Sequence, residues 1–251
     1  MNLPLRDQFL DRWSKYFPTV DLPMTFYYTE SPTGAEAIPA GDRPHCLIAE
    51  LGAVRKGKSI YFDGTTVPCM GGKRFLGFSN QIRPGFRYFL SCGLEGEIHG
   101  ERYKKSPELV DQFMANQPTF EAPSKFLVFK RIDRLEQSDA PMAAVFFARP
   151  DVLSGLFTLA NFDEAELDGV YAPFGAGCGS IVARPLVEAG RERPRAVIGM
   201  FDVTARPHVP ADMLTFAVPW KKFETMIQNM DESFLTTAAW GNVQKRIAKA
   251  T

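Results

Sequence analysis

Short apolar runs that alternate with amphipathic helical segments constrain the fold of this chain more than any other feature. Helical periodicity is clearest near the start, where Leu5, Phe9, Trp13 and Phe17 recur every four residues. The pattern predicts strands over residues 23–29, 59–62, 85–90, 126–129, 143–147, 196–200 and 213–218, and helices over residues 4–17, 47–55, 106–116, 150–159, 219–230 and 231–249. We therefore expect an α+β fold with a mixed β-sheet flanked by helices.

Glycine, proline and serine mark the boundaries between these segments. Gly57 is placed to end the 47–55 helix, and Ser106 followed by Pro107 is a typical helix start. A Pro/Gly/Ala-rich loop is predicted over residues 31–44 and a glycine-rich loop over residues 67–80. Because no Ser/Gly linker or shift in composition divides the sequence, we expect a single domain over residues 1–251.

The charge balance excludes some classes of partner. Lysines plus arginines number 29, as do aspartates plus glutamates, so the chain lacks the cationic excess of a nucleic-acid or anionic-membrane binder. The first residues lack the basic start and apolar block of a signal peptide, and no apolar run approaches the ~18 residues of a membrane span. These features predict a cytoplasmic protein, in which cysteines are expected as free thiols or metal ligands.

The four cysteines carry the strongest indication of function. Three of them lie beside glycine or proline in turn-like sequence, where a thiolate can be stabilised or can bind a metal. The cysteines are Cys46, Cys69, Cys92 and Cys178. Because there is no closely spaced CxxC pair, an iron–sulfur cluster is favoured over a structural zinc. The competing interpretation is a set of separate reduced thiols.

The segment Phe174–Val182 is the most distinctive local motif. Glycine-rich sequence that enters a helix exposes backbone N–H groups, which bind anions and lower a thiol pKa. Gly177, Gly179 and Ser180 are therefore candidate binding residues beside Cys178, together with Gly71 and Gly72 after Cys69. A tight structural turn explains the same glycines equally well.

Polar residues after the 196–200 strand form a further candidate group. Asp202 and Arg206 follow the strand end, where α/β architectures often present polar groups to a ligand. An ion pair that fixes the loop is the structural alternative.

An internal similarity suggests two diverged halves. Cys46 precedes a helix that ends at Gly57 with a strand beyond it, and Cys178 precedes a segment that ends at Gly190 with a strand beyond it. The two units share no residue identity, so coincidence is the alternative to duplication.

The chain resembles the uncharacterised DUF169 family over nearly its whole length after the N-terminal helix. The resemblance implies that Cys46, Cys69 and Cys178 are shared family positions and that Cys92 is not, but it implies no reaction. The motifs that carry it are Pro23–Phe26, Cys46 to Gly57, Cys69–Gly72 with Leu76–Phe78, the strands around Val128 and Val145, Ala148–Pro150, Gly177–Cys178 with Pro185, Gly199–Asp202 with Arg206, and Phe216–Pro219.

Together these observations predict that Cys46, Cys69 and Cys178 converge in one pocket and bind an iron–sulfur cluster or another transition metal. The expected partners are a small anionic ligand or a redox partner. Two other hypotheses remain open. One is a non-catalytic module that binds an anionic metabolite at the glycine-rich turn, and the other is a thiol-dependent enzyme that uses Cys178.

Overall fold

A computed structural model of the protein describes residues 3–38 and 45–249. The helices of this part are α1 (Leu3–Tyr16), α2 (Leu47–Arg55), α3 (Met70–Phe75), α4 (Phe86–Phe89), α5 (Pro107–Ala115), α6 (Pro150–Ala160), α7 (Arg184–Ala189), α8 (Trp220–Asn229) and α9 (Ala238–Lys249). A π-helical stretch, Gly179–Ala183, leads directly into α7. The strands are β1 (Met24–Thr29), β2 (Glu36–Ala37), β3 (Ile60–Phe62), β4 (Phe126–Arg131), β5 (Ala143–Ala148), β6 (Val170–Tyr171), β7 (Ala196–Gly199) and β8 (Leu214–Pro219).

The structure confirms the α+β fold, with one mixed eight-stranded sheet and helices around it. The strand order is β2-β3-β4-β1-β5-β8-β7-β6, with parallel pairing at the two outer pairs and antiparallel pairing elsewhere. β5 lies near the centre of the sheet and is buried along its whole length. Its unbroken apolar sequence is what a strand covered on both faces requires.

Most predicted elements are confirmed, and so are two of the predicted boundaries. Gly57 follows α2 with a positive φ of 95°, and its N–H donates to the Val54 carbonyl. Ser106 caps α5 by accepting the Leu109 N–H. The predicted loop over residues 31–44 contains β2, and its residues 39–44 lie outside the described residues.

Three sequence predictions are wrong. The 67–80 segment contains helix α3, and the 85–90 segment is the single turn α4, not a strand. Gly85 turns the chain into α4 with a φ of 73° and accepts the Phe89 N–H, so aromatic content alone was misleading there. The last helix begins at Ala238, because Ser233 caps a separate 3₁₀ turn at Phe234–Thr236.

Helices cover both faces of the sheet. On one face, α1, α6, α8 and α9 pack their apolar residues against the sheet and form an aromatic-rich core. On the other face, α2 and the π-helical stretch before α7 pack on alternate residues of the same strands. Phe216 and Val218 of β8 point to the first core and Ala217 to the second, as the two-residue period of a strand requires. We call the second side the cysteine face, because Cys178 lies in its core and the partly buried Cys46 and Cys69 pack against that core.

The sheet has an internal two-fold symmetry that matches in register. Strands β1 to β4 take the same places on one side of the centre as β5 to β8 take on the other. At the centre, Thr25 pairs with Ala144, and the neighbouring pairs are Met24 with Val145 and Phe26 with Ala143. A two-fold axis between Thr25 and Ala144 interchanges these two neighbouring pairs. The hydrogen bond from Ile132 N–H to Pro23 O is matched by one from Trp220 N–H to Met142 O. The arrangement of the two halves therefore repeats, as the cysteine–helix–strand similarity suggested.

The largest difference between the halves is an insertion in the first half. Residues 63–125 connect β3 to β4, whereas only residues 200–213 connect the equivalent strands β7 and β8. We call residues 63–125 the excursion. It contains α3, α4 and α5 together with Cys69 and Cys92.

Candidate functional site

Cys46 lies at the start of α2. It occupies the N-cap position with extended backbone angles. The backbone N–H groups of Ile48 and Ala49 act to lower the pKa of its thiol. The preceding His45 is held by Glu50, with 2.5 Å between Nε2 and Oε1. Cys46 is thus placed at the positive end of a helix, where a thiolate is stabilised.

Cys69 caps α3 in a comparable way. Its sulfur accepts the N–H of Gly72 at 3.2 Å. A Cβ on Gly72 would lie 2.8 Å from Val67 Cγ1 and 3.0 Å from the Cys69 sulfur, so only glycine fits. The same Cβ position is 3.6 Å from Leu47 Cβ, which places Gly72, in the first turn of α3, against the first turn of α2.

Cys178 immediately precedes the π-helical stretch and is buried. A Cβ on the next residue, Gly179, would lie 3.0 Å from the ring of Phe75, so this glycine lets α3 pack closely against the π-helical stretch. Ser180 turns inward, and its hydroxyl donates to the Gly177 carbonyl at 2.7 Å. π-Helical turns are rare and are frequent at functional sites.

The three cysteines act on one another electrostatically. Burial raises the pKa of the Cys178 thiol, and the charges of Cys69, Cys46 and Asp202 raise it further. Burial also raises the pKa of Cys46, with Cys69 and Asp202 adding to the effect. These residues, far apart in sequence, belong to one core on the cysteine face: Cys178 lies in it, and Cys46 and Cys69 pack against it.

The carboxylate of Asp202 binds the glycine-rich turn at Gly177. One of its carboxylate oxygens accepts the Gly177 N–H at 3.1 Å, and the other accepts the Thr204 N–H at 3.0 Å. The Tyr103 hydroxyl of the excursion also lies 3.4 Å from this carboxylate. The chain's own carboxylate therefore takes a position at Gly177 that an anionic ligand would need.

Arg206 lies nearby but bonds within its own loop. Its guanidinium donates to the carbonyls of Met213 at 2.6 Å, Ala211 at 2.8 Å and Pro210 at 3.3 Å. These bonds fix the short connection between β7 and β8. Arg206 therefore stabilises its own loop, as the structural alternative expected, but it binds backbone carbonyls and forms no ion pair with Asp202 there.

The excursion crosses from the first half to the second beside the site. Besides Tyr103, it contributes Phe113, whose ring packs edge-on against Phe174, and Lys104, whose ammonium lies 4.1 Å from the centre of the same ring. Gln117 accepts a hydrogen bond from Arg184 at 3.2 Å. Cys92 is exposed, and its sulfur lies 3.4 Å from the Gly93 carbonyl.

Two residues near the site were not identified from sequence. Tyr103 is isolated in a polar segment, and nothing local marks it as a neighbour of Asp202. Met200 is buried with a φ of 70°, a backbone region that side chains other than glycine rarely adopt. Such strain concentrates at functional sites, but only coordinates reveal it.

Within residues 3–38 and 45–249, no three or more histidine, cysteine, aspartate or glutamate side chains are grouped so as to hold a metal ion. In the same part of the chain, no helix has both the length and the apolar character needed to cross a membrane.

The sequence model of the DUF169 family, described as an uncharacterised ArCR, matches residues 22–229. This match covers the whole sheet and all four cysteines, and the chain therefore belongs to the DUF169 family. No curated protein and no solved structure matches the chain.

Proposed function

We propose that this member of the DUF169 family binds an iron–sulfur cluster, or another thiophilic transition metal, through Cys46, Cys69 and Cys178. The observation that carries the proposal is that these three cysteines, which come from both halves of the sheet and from the excursion, share one core: Cys178 lies in it, and Cys46 and Cys69 pack against it. The influence of Cys69 on the pKa of both other thiols agrees with this placement. Cys46 and Cys69 are only partly buried, and each lies at the start of a helix and not inside an apolar run, which is not the usual place of a cysteine that serves only as a small core hydrophobe.

The chemistry of the donor set fits such a centre. Thiolates are soft ligands that select iron–sulfur clusters, zinc and copper(I). Single cysteines on separate loops suit a cluster, because its iron atoms are spread over several ångströms. When bound, a cluster with three cysteine ligands would supply one-electron redox chemistry and leave one iron open to a small molecule.

The protein residues would compensate the charge of the thiolates. Cys46 lies at the N-terminus of α2 and Cys178 directly precedes the π-helical stretch, and backbone N–H groups of these segments partly offset the rise in the pKa of both thiols. The raised pKa values mean that without a cation the thiols stay protonated at neutral pH. Metal binding would therefore release protons and weaken as the pH falls.

The two other hypotheses have less structural support. Binding of an anionic metabolite at the glycine-rich turn would compete with Asp202, which already accepts the Gly177 N–H. Nucleophilic catalysis by Cys178 needs a lowered thiol pKa, whereas burial raises it.

Anaerobic purification followed by measurement of iron, acid-labile sulfide and zinc tests the proposal. We expect a coloured protein whose metal content and visible absorption are lost in Cys46→Ser, Cys69→Ser and Cys178→Ala. Serine is a good N-cap, so the first two variants should retain the starts of α2 and α3.

Cys92→Ser is the matched control, because Cys92 is exposed on the excursion. It should keep the full metal content. Colourless, metal-free wild-type protein would disprove the proposal, as would equal metal loss in all four variants.

A further inference from the structure

Exposed apolar side chains lie close in sequence to residues of the cysteine site. Phe201 and Val203 flank Asp202 in sequence and are 54% and 66% exposed. Phe174 lies three residues before Gly177 and is 53% exposed, and Met70 directly follows Cys69. These four residues, which we call the apolar rim, come from three segments that each supply a residue of the site. Clusters of exposed apolar side chains on a soluble protein commonly mark an interaction surface.

Positive charge accompanies the apolar rim. Residues 102–105 of the excursion contain Arg102, Lys104 and Lys105 and no acidic residue, although the whole chain has no net charge. Lys104 lies against Phe174, while Arg102 and Lys105 are exposed beside it. Tyr103, in the middle of this basic run, reaches Asp202. The basic run therefore borders the apolar rim on the side of the excursion.

From this combination we infer that the apolar rim and the basic run 102–105 form a docking surface for a small acidic electron-transfer protein. The inference rests on the proposed cluster. A centre below this surface would lie close to a docked donor, and complementary charge would steer the donor to it. In the step itself, one electron passes from the reduced partner to the oxidised cluster, and no bond forms or breaks.

The test measures electron transfer to the anaerobically purified wild-type protein. The probe is a reduced plant-type [2Fe–2S] ferredoxin, an acidic protein, and its oxidation is followed by stopped-flow absorbance. Dithionite, a small reductant that needs no docking surface, is measured in parallel. We expect the ferredoxin rate constant to fall as the salt concentration rises, because salt screens charge attraction.

Two pairs of variants locate the surface. Lys105→Glu should lower the ferredoxin rate constant about threefold to tenfold at low salt, whereas Lys245→Glu on α9 should not change it. Phe201→Ser should lower it as well, whereas Phe157→Ser on α6, across the sheet, should not. Both control residues are exposed and belong to helices of the opposite face. The rate with dithionite should be the same in all four variants, which also shows that each has folded with its cluster.

The outcomes separate this inference from the proposed function. Protein without iron and sulfide would disprove the cluster. A cluster that dithionite reduces but ferredoxin does not would overturn the docking surface alone. So would equal effects of Lys105→Glu and Lys245→Glu, or a homodimer in sedimentation analysis that Phe201→Ser dissociates, because a second copy would then occupy the surface.

Discussion

Cys178 combines two properties that a thiol seldom has together: it begins a helical segment, and its pKa is raised. Helix N-termini normally favour the thiolate, but here burial and the neighbouring charges of Cys69, Cys46 and Asp202 outweigh the Gly179 N–H. A bound cation would reverse this balance, because it stabilises the thiolate. The residue is therefore better suited to metal ligation than to attack on a substrate.

The raised pKa values of Cys46 and Cys178 predict a pH dependence of stability. A thiol whose pKa is higher in the folded than in the unfolded protein contributes stability below its unfolded pKa, and this contribution is lost as the pH rises towards the folded value. In metal-free protein we expect the free energy of unfolding to fall above about pH 8.5, by at most about 1.4 kcal/mol per pH unit for each thiol.

Urea unfolding of metal-free protein at several pH values from 7 to about 9 measures this effect, below the pH of about 10 at which the tyrosines of the unfolded chain ionise. Cys178→Ala should show a shallower fall than the wild type, and Cys92→Ser should follow the wild type. Parallel curves for Cys178→Ala and wild type would contradict the assignment.

At the scale of elements, helix α3 holds Cys69 in place through one glycine. Gly72→Ala would push a methyl group into Val67 and the Cys69 sulfur. We expect this variant to lose metal and to be destabilised by about 1–3 kcal/mol, the usual cost of overpacking. The measurements are metal content and urea unfolding.

Gly71→Ala is the matched control, because a Cβ at Gly71 meets nothing within 4 Å. It should keep its metal and be slightly more stable, since alanine favours the helix. If both variants behaved alike, the contact between Gly72 and Cys69 would have no role in the site.

The same helix shows where sequence reasoning stops. Long amphipathic segments such as α1 and buried runs such as β5 were predictable, because their periodicity or length reflects burial directly. α3 was predicted as a loop because glycine disfavours helices, whereas contacts with Val67 and Phe75 decide the outcome. The two-residue strands β2 and β6 have no pattern of their own and exist only through pairing with β3 and β7.

For the site, the sequence indicated which residue types were involved but not all of their contacts. The cysteines were identified from their turn-like surroundings, and their electrostatic coupling is consistent with the predicted convergence. The capping of Gly177 by Asp202 depends on a contact across 25 residues, and the approach of Tyr103 to Asp202 spans 99. No local pattern encodes such distances.

At the scale of the whole molecule, both helical layers depend on one sheet. Trp13, Trp220 and Trp240 all belong to or pack against the core opposite the cysteine face. Because the strands contribute alternate residues to both cores, we expect the two faces to unfold together. Tryptophan fluorescence and the reaction of Cys46, Cys69 and Cys178 with Ellman's reagent should give coincident urea transitions.

A Cys92→Ser background removes the exposed thiol from this measurement. Thiols that become reactive at clearly lower urea than the fluorescence change would show that the cysteine face unfolds separately. The single-domain prediction would then fail.

The two-fold axis between Thr25 and Ala144 has a consequence for how such a chain could arise. Two identical short chains could build the same sheet as a homodimer, with one strand pair across the subunit boundary. Each subunit would then carry its own excursion, and both would cross the same axis and compete for the same surface. Fusion into one chain removes the competition, because one half can keep the excursion while the other retains the short connection 200–213. A fused chain can form a site with an odd number of thiols, with different residues on the two sides of the axis. A symmetric dimer cannot, because every residue on one side is repeated on the other.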